Sequence, residues 1–425
     1  MKITDISQAS APALARPALV PDAERRARVT EILRAVKGEG DPAVREYTRR
    51  FDKADVSDLA VPPGEIERAW ETTNKDVRAA LAAAAGRIEA FHKAQAPAPV
   101  SVETAPGVVC ERRWLPLEAV GLYAPGGSAP LVSTVLMLGI PARLAGCPRR
   151  VLATPPGPDG KVDPRLLAAA RLAGITTVLR VGGAQAVAAL AYGTQTVPKV
   201  DKIFGPGNSW VAEAKRQVAE DADGAAIDLP AGPSEVFVIA DDSANPAFVA
   251  SDLLAQAEHG ADSQVVLASP SRALLDAVSA ELERQLATLP RAAVARAALE
   301  HSSLLLTRDL AQALEVSERY APEHLILQTR DDEALAARVR RAGAVFLGPW
   351  APEAAGDYAS GPNHVLPTGG AARAFGGLGL ESFLRPVTFQ RLTRAGLRAI
   401  GPDVTALAAV EGLDAHGRSV SVRNA

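Results

Sequence analysis

The stretch EVFVIADDSANPAFVASDLLAQAEHG, residues 235–260, contains one complete strand-and-helix unit. Its first residues form a short apolar run typical of a buried strand, and Asn245 and Pro246 then provide a helix N-cap and a first-turn residue. Gly260 is expected to supply the left-handed residue that commonly ends a helix. The stretch therefore predicts a buried strand followed by an amphipathic helix that ends in QAEHG.

The same alternation of a short apolar run and a helical pattern recurs along the chain. The other runs are RRVLATPP, TTVLRVGG, DKIFGPG, SQVVLAS, SSLLLT, HLILQT and GAVFLG. Such alternation is typical of parallel sheets covered by helices, so the sequence predicts an α/β fold. The chain has 425 residues. A single hydrophobic core stops growing at about 250 to 300 residues, which predicts two or more domains.

The two ends of the chain differ from this pattern. Residues from about Pro21 to His92 are helical in pattern, and the segment AQAPAPVSVETAPG after them is interpreted as a connection. After GLGLESFLRP the chain is mostly polar and helical, without a run as strand-like as those before it. The sequence therefore predicts that the last residues form an appendage.

The composition narrows the classes of function. A net charge of −3, with acids and bases interspersed and few aromatic residues, gives no basic or stacking surface for nucleic acid. No signal peptide and no window of about 18 apolar residues is present, so we expect a soluble, cytoplasmic protein without a membrane partner. Cys110 and Cys147 stand far apart and outside any CxxC motif. Any metal would therefore be held by nitrogen and oxygen ligands.

Three glycine-rich turns have the composition of phosphate cradles: YAPGG at 123–127, VGGAQA at 181–186 and FGPGNSW at 204–210. Each lies between a strand and a helix, where backbone N–H groups and the helix dipole favour an anion. None is a G-x-G-x-x-G motif. In FGPGNSW, Trp210 stands where the third glycine of the motif would be. Strand-to-helix turns are also glycine-rich for steric reasons, so each turn alone leaves nucleotide binding open.

Four of the six histidines have a nearby polar residue that could share a metal or a proton with them. These pairs are His259 with Gln256, His324 with Glu323, His364 with Asp357, and His416 with Glu411. Imidazole and carboxylate groups suit both zinc ligation and proton transfer, but a helix end or a solvated loop explains each pair as well. His92 and His301 have no such neighbour and are interpreted as surface or capping histidines.

Taken together, the motifs KIFGPGN, DLPAGPSE, QAEHG, PEHL and GDYASGPNHVLPT resemble the histidinol dehydrogenase family over essentially the whole chain. The resemblance implies oxidation of L-histidinol to L-histidine through L-histidinaldehyde with two NAD, the last two steps of histidine synthesis. It also implies two Rossmann-like parallel-sheet domains without the usual glycine fingerprint, together with small N- and C-terminal helical extensions.

The resemblance further implies a division of the chain and a homodimer. The expected parts are an N-terminal extension (1–21), a larger α/β domain (22–122 with 236–378), an NAD-binding domain (123–235) and a C-terminal extension (379–425). In the family, this last extension reaches the active site of the partner subunit. His416 and Glu411 are therefore expected to act in the partner's site.

Individual residues acquire roles from the same resemblance. The expected zinc ligands are Gln256, His259, Asp357 and His416, with the metal acting as a template that orients the substrate. His324 corresponds to the general base, and Glu323 to the residue that activates water. The residues expected to bind substrate are Ser234, His364 and Glu411 together with His324 and the four zinc ligands. Tyr123, Gln185 and Asn208, one in each glycine-rich turn, correspond to NAD-binding positions.

Other readings stay open at this point. A zinc hydrolase could use the same ligands with Glu323 as base, and a related zinc- and NAD-dependent dehydrogenase could act on another small alcohol. Retention of Glu323 and His324 argues against a metabolite-binding protein without catalysis. A cysteine thioester mechanism is disfavoured, because neither Cys110 nor Cys147 has a histidine or lysine nearby in sequence. The visible departure from the family is a longer loop, PPGPDGKVDP, remote in sequence from every motif.

Overall fold

The structure, a computed structural model, describes residues 1–8, 14–16, 22–126, 130–175, 177–230 and 232–424. The strands are β1 (Ile3–Asp5), β2 (Val100–Ala105), β3 (Val108–Pro116), β4 (Ala119–Tyr123), β5 (Arg149–Thr154), β6 (Thr177–Arg180), β7 (Lys202–Phe204), β8 (Ala226–Ile227), β9 (Glu235–Ala240), β10 (Gln264–Ser269), β11 (Ser303–Leu306), β12 (His324–Gln328), β13 (Ala344–Leu347) and β14 (Leu384–Leu392).

The α-helices alternate with most of these strands. They are α1 (Ala23–Glu39), α2 (Asp41–Asp52), α3 (Pro63–Thr72), α4 (Lys75–Lys93), α5 (Val132–Leu144), α6 (Pro164–Leu172), α7 (Gly183–Tyr192), α8 (Ser209–Glu220), α9 (Pro246–Ala257), α10 (Arg272–Leu286), α11 (Ala292–Glu300), α12 (Leu310–Tyr320), α13 (Asp332–Ala336), α14 (Glu353–Tyr358), α15 (Arg394–Val410) and α16 (Asp414–Asn424). Two short 3-10 turns occur at Ala371–Arg373 and Leu380–Phe383. None of the helices described is long and apolar enough to cross a membrane.

A six-stranded parallel sheet in the order β1-β11-β10-β9-β12-β13 holds the unit that opened the sequence analysis. Strand β9 is buried at every position because helices cover both faces of the sheet. Asn245 caps α9 as predicted, its side chain accepting a hydrogen bond from the N–H of Ala247. The predicted stop at Gly260 is wrong: α9 ends at Ala257, its cap Glu258 is right-handed, and the φ of Gly260 is not positive.

A five-stranded parallel sheet has the order β6-β5-β4-β7-β8. Counted from β4, this is the order 3-2-1-4-5 of a doubly wound nucleotide-binding sheet, with its switch point between β4 and β7. The three glycine-rich turns follow β4, β6 and β7 and lead to α5, α7 and α8. The two parallel sheets confirm the predicted α/β fold. Residue 127, the last of YAPGG, lies outside the described residues.

The helices before residue 94 share their apolar cores with the five-stranded sheet. Helices α1 and α2 pack against α7 and α8, while α3 and α4 pack against α5 and α6. The expected division grouped residues 22–122 with the other parallel sheet, whereas in this chain the apolar faces of these helices close over the nucleotide-type sheet. The division into domains stays a prediction.

A third, antiparallel sheet in the order β14-β3-β2 corrects two expectations. The segment AQAPAPVSVETAPG is not only a connection, because it contains β2, and the last residues do contain a strand, β14. Both strands are largely exposed, so their apolar residues alternate with polar ones and leave no buried apolar run. Beyond β14, α15 and α16 pack on each other.

The structure confirms the prediction for one of the two histidines that have no polar neighbour in sequence and contradicts it for the other. His301 is exposed and is the C-cap residue of α11, as predicted. The interpretation of His92 as a surface or capping residue is wrong, because its side chain is fully buried. Its Nδ1 lies 2.8 Å from the carbonyl oxygen of Ile88, and its Nε2 lies 3.4 Å from Nδ2 of Asn363. The segment GPNH, residues 361–364, covers the end of α4. The sequence around His92 gives no sign of this contact, because the segment lies far away along the chain.

Candidate active site and nucleotide cavity

Glu323 and His324 lie at the start of β12, beside the start of β9, and both are buried. The backbone N–H of Glu235 donates a 2.8 Å hydrogen bond to Oε2 of Glu323. Nδ1 of His324 lies 3.0 Å from the carbonyl oxygen of the same residue. A carbonyl oxygen only accepts, so Nδ1 carries the proton and Nε2 of the neutral ring keeps its lone pair. The backbone of Glu235 therefore orients both side chains, one through its N–H and the other through its carbonyl oxygen.

Burial shifts the two side chains toward their neutral forms. It raises the pKa of Glu323 well above its ordinary value, opposed by the hydrogen bond from Glu235 and reinforced by the charges of Glu235 and Asp357. It lowers the pKa of His324 to about 3. His324 is thus an unprotonated imidazole near neutral pH, the form that accepts a proton.

Three potential ligand atoms, from His259, Glu353 and Asp357, lie within 4.8 Å of one another. His259 follows the end of α9, and α14 presents Glu353 and Asp357 four residues apart on one face. Burial raises the pKa of Asp357 to about 6. It also raises that of Glu353 well above the ordinary value, with repulsion from Asp357 adding to the effect. Carboxylates that repel one another in this way are stabilised by a bound cation.

Gln256 adds a second reason to place a cation here. Its side chain is fully buried, and neither Oε1 nor Nε2 has a hydrogen-bond partner in the described part of the chain. A buried amide without partners costs about 1–3 kcal/mol, so such a group points to a ligand. Gln256 precedes His259 by three residues at the end of α9. The residues present thus fit a divalent cation held by nitrogen and oxygen atoms.

The fourth expected zinc ligand lies elsewhere in this chain. His416 is exposed on α16, and Glu411 is exposed at the end of α15. His416 is not part of the three-residue donor group, and Oγ of Ser419 donates a hydrogen bond to its carbonyl oxygen within the same helix. Within one chain, therefore, the expected zinc set is incomplete.

Of the remaining two residues expected to bind substrate, His364 contacts the donor group through Asp357. Nδ1 of His364 is 2.9 Å from the carbonyl oxygen of Asp357, and its Nε2 is 3.1 Å from Oγ1 of Thr134 on α5. His364 thus joins the donor group to a helix of the five-stranded sheet, and burial lowers its pKa to about 4. Ser234 is half-buried and directly precedes β9.

Two residues of this region were missed from the sequence. Both carboxylate oxygens of Glu235 contact the guanidinium of Arg16, at 2.8 and 2.9 Å, and one accepts a 2.6 Å hydrogen bond from the N–H of Gly369. Glu353 is buried, and its Oε2 has no partner among the residues described. Two features of the sequence could have indicated them. Glu235 is the final residue of the motif DLPAGPSE, and Glu353 stands four residues before Asp357.

A cavity of about 1430 Å³ opens at the carboxyl ends of the five-stranded sheet. Tyr123, Gln185 and Asn208, the three residues expected to contact NAD, all line it. The Tyr123 hydroxyl accepts a 3.1 Å hydrogen bond from the N–H of Gly183. Asn208 caps α8, accepting from two backbone N–H groups. The cavity therefore lies at the N-termini of α7 and α8, where the helix dipoles favour phosphate.

The loop PPGPDGKVDP, residues 155–164, also lines this cavity. It is remote in sequence from every motif, yet the end of β5 carries it to the cavity wall. The loop that was expected to be longer than in the family thus lies where the nucleotide is expected.

The cysteines do not provide a nucleophile. Cys147 is fully buried, its Sγ lies 3.5 Å from the carbonyl oxygen of Phe383, and burial raises the pKa of its thiol to about 11. A thiol with that pKa stays protonated near neutrality and is a poor nucleophile. Cys110 lies on β3 of the antiparallel sheet, outside the donor group and the cavity.

Comparisons with known proteins agree with the motifs. The family model described as Histidinol dehydrogenase matches residues 16–424. The histidinol dehydrogenase of Xylella fastidiosa is 53% identical over 427 residues, covering 100% of this chain and 99% of that protein. The putative histidine biosynthesis bifunctional protein HisCD of Photorhabdus laumondii is 52% identical over 410 residues, covering 96% of this chain and 50% of that protein. The crystal structure of histidinol dehydrogenase from Elizabethkingia anophelis has a TM-score of 0.94 at 44% identity, covering 100% of this chain and 98% of that one.

Proposed function

The chain belongs to the histidinol dehydrogenase family and is an NAD-dependent dehydrogenase, and we propose that it converts L-histidinol into L-histidine through L-histidinaldehyde. The proposed reaction uses zinc and two NAD per substrate. The observation that carries the proposal is the backbone of Glu235, whose N–H and carbonyl oxygen contact Glu323 and His324 next to the donor group. A proton acceptor, a water activator and a cation site then lie together.

Zinc fits the residues present, because Gln256, His259 and Asp357 offer oxygen and nitrogen atoms and the amide of Gln256 has no hydrogen-bond partner among the described residues. When bound, the cation would orient the nitrogen atoms of the substrate and so act as a template. Glu353 would add negative charge to the same group. Ser234 and His364 would contact the substrate beside it.

In the first oxidation, His324 accepts the alcohol proton at Nε2 while a hydride leaves the carbinol carbon for NAD. The products are the aldehyde, NADH and one proton. Burial keeps His324 neutral before the step, and the carbonyl oxygen of Glu235 can stabilise the imidazolium through Nδ1–H afterwards. The ring therefore need not change its orientation between turnovers.

In the second oxidation, Glu323 accepts a proton from water as the water oxygen bonds to the aldehyde carbon, and protonated His324 returns its proton to the aldehyde oxygen, which gives the hydrated aldehyde and a neutral imidazole. His324 then accepts a proton from the hydrated aldehyde while a second hydride passes to a second NAD, giving the carboxylic acid. Burial raises the pKa of Glu323, and in its ionised form such a carboxylate is a stronger base than one with an ordinary pKa.

We infer that the active enzyme is a homodimer in which the C-terminal segment of one chain enters the site of the other. His416 would then complete the zinc ligands, and Glu411 would meet the substrate amine. The exposure of both residues in a single chain, apart from the donor group, supports this arrangement. We also propose a cytoplasmic location and no role for nucleic acid or membrane.

The stoichiometry of the reaction tests the proposal. Purified protein loaded with zinc should form two NADH for each histidinol consumed and one histidine as product. A zinc hydrolase would form no NADH, and a dehydrogenase for a different alcohol would reduce NAD faster with another amino alcohol than with histidinol. Either result would remove the proposed activity.

A further inference from the structure

Asp52, the last residue of α2, brings a carboxylate into the nucleotide cavity from outside the five-stranded sheet. Its Oδ2 lies 3.3 Å from Nε2 of Gln185, on the first turn of α7. Oδ1 has no hydrogen bond among the residues described, and Oε1 of Gln185 is buried without a partner. Burial raises the pKa of Asp52 to about 6. The Asp52 carboxylate thus keeps one oxygen that can accept a hydrogen bond from a ligand in the cavity.

The topology of the sheet shows what is missing from this cavity. In dinucleotide-binding sheets of this order, an acidic residue about 20 residues after the first turn binds the ribose 2′-hydroxyl of the adenosine. Here the first turn follows Tyr123, and the chain contains no aspartate or glutamate between Glu118 and Asp159. The second strand, β5, runs directly into Pro155 and Pro156. The sheet itself therefore supplies no acid at that position.

The other acidic residues of the cavity wall are engaged or peripheral. Glu65 is paired with Arg180 at 2.8 Å, and Asp163 caps α6 and pairs with Arg165. Asp159 and Glu31 are exposed. Among the acidic residues that line the cavity, Asp52 differs in being half-buried and in having no ion pair among the described residues. It also contacts Gln185, an expected NAD-binding residue.

We propose that Asp52 accepts hydrogen bonds from the ribose hydroxyls of the dinucleotide and thereby selects NAD against its 2′-phosphorylated form. A carboxylate is an acceptor only and matches a hydroxyl donor, whereas a 2′-phosphate would bring further negative charge beside it. Arg28, Arg50, Arg68 and Lys161 also line the cavity, so its overall charge does not exclude phosphate. The preference for NAD over its 2′-phosphorylated form then depends on the position of the Asp52 carboxylate in the cavity. This inference rests on the proposed function only in taking a nicotinamide dinucleotide as the occupant of the cavity.

Direct binding tests the assignment without turnover. Isothermal titration of the full-length protein with ADP-ribose, 2′-deoxy-ADP-ribose and 2′-phospho-ADP-ribose would be compared between wild type and Asp52→Asn. We expect Asp52→Asn, which keeps an acceptor oxygen but loses the charge, to weaken ADP-ribose binding roughly 10-fold, the difference between a hydrogen bond to a charged and to a neutral acceptor. We expect it to weaken 2′-phospho-ADP-ribose binding less or to improve it. Asp55→Asn, an exposed aspartate three residues away, is the matched control and should bind like wild type.

The 2′-deoxy ligand completes a thermodynamic cycle. The cycle distinguishes a direct contact between Asp52 and the ribose hydroxyl from a general effect of the substitution on folding. Wild type should lose affinity when the hydroxyl is removed, whereas Asp52→Ala, which leaves no acceptor at this position, should lose little more. If Asp52→Ala is unstable, Asp52→Asn should still depend less on the hydroxyl than wild type does, because its amide oxygen is the weaker acceptor. Equal hydroxyl dependence in wild type and variant, or unchanged preference against the 2′-phosphate, would overturn the inference. Such a result would leave histidinol oxidation untouched, whereas absence of NADH formation by wild type would bear on the proposed function instead.

Discussion

Nδ1 of His324 lies 3.0 Å from the carbonyl oxygen of Glu235, and this contact determines which ring nitrogen can accept a proton. The carbonyl group fixes the proton on Nδ1 and leaves Nε2 as the base. A backbone acceptor cannot be removed by mutation, so the arrangement is best tested through the ring itself.

Replacing His324 by asparagine should remove the proton acceptor. We expect kcat for histidinol oxidation to fall by about 10²- to 10⁴-fold, the usual contribution of general base catalysis. Dinucleotide affinity should stay within a factor of about two, because His324 does not line the nucleotide cavity. Initial rates of NADH formation and calorimetric NAD binding would measure both. His301→Asn, at an exposed helix cap, is the matched control, and a His324 variant as active as this control would exclude His324 as the base.

Replacing Asp357 by asparagine should weaken metal binding, because the substitution removes a charge from the group formed with His259 and Glu353. We expect bound zinc to fall below stoichiometric amounts after dialysis against a mild chelator, as measured by atomic emission, with NAD binding retained. Asp276→Asn, on the exposed face of α10, gives the matched carboxylate-to-amide control. Full zinc retention in Asp357→Asn under conditions that strip a His259→Asn protein would remove Asp357 from the ligand set.

Active sites shared between subunits should be recoverable by mixing two inactive variants. Asp357→Ala and His416→Ala lose different parts of the proposed site, so a heterodimer contains one intact site and one that lacks both residues. Random exchange makes half of the dimers heterodimers, which predicts about a quarter of the wild-type specific activity. Differently tagged chains would verify that exchange has occurred. Verified heterodimers without activity would contradict a site completed by the partner chain.

Acid should destabilise the protein partly through His92. Burial lowers the pKa of His92 in the folded state, so the unfolded chain takes up the proton at a higher pH than the folded protein does. The contribution of His92 to the free energy of unfolding is therefore complete above the unfolded-state pKa of about 6.5. Below that pH it decreases by up to about 1.4 kcal/mol per pH unit. Urea unfolding at pH 8 and pH 5.5 should show a smaller loss for His92→Gln than for wild type or His301→Gln. An equal loss in all three proteins would contradict this origin.

A buried ion pair supports the nucleotide turn FGPGN. The Lys215 ammonium contacts the Asp228 carboxylate and donates to the carbonyl oxygen of Gly205 at 2.9 Å, while Asp228 accepts a 2.7 Å hydrogen bond from the N–H of Gly205. Replacing Lys215 by methionine leaves a buried carboxylate without its cation, which should cost about 3–5 kcal/mol of unfolding free energy.

The control for this prediction is an exposed ion pair of similar composition. Arg272 and Asp276 pair at 3.1 Å on the surface of α10, and Arg272→Met should cost no more than about 1 kcal/mol. Denaturant unfolding of both variants measures the difference. The double variant Lys215→Met with Asp228→Leu should regain part of the loss, and a Lys215→Met protein as stable as Arg272→Met would show that the buried pair does not support the turn.

Much of the fold could be predicted from local patterns. Short apolar runs followed by capped helices predicted strands such as β9 and helices such as α9, because a strand buried on both faces needs a continuous apolar run. The antiparallel strands β2 and β14 were missed, since exposed strands leave no such run. The stop assigned to Gly260 failed because α9 ends in a right-handed cap at Glu258.

The sequence by itself determined the α/β class, the family and the residue types from which a site could be built, because motif order and apolar periodicity are properties of the linear chain. Only the tertiary structure decided which of those residues meet. It brought His259 and Asp357 together with Glu353, placed the peptide of Glu235 against His324, and left His416 exposed on another part of the chain. It also carried Asp52 into a cavity formed by a sheet that begins more than sixty residues later in sequence. Distances between side chains from different elements depend on sheet order and helix packing, which local sequence does not encode.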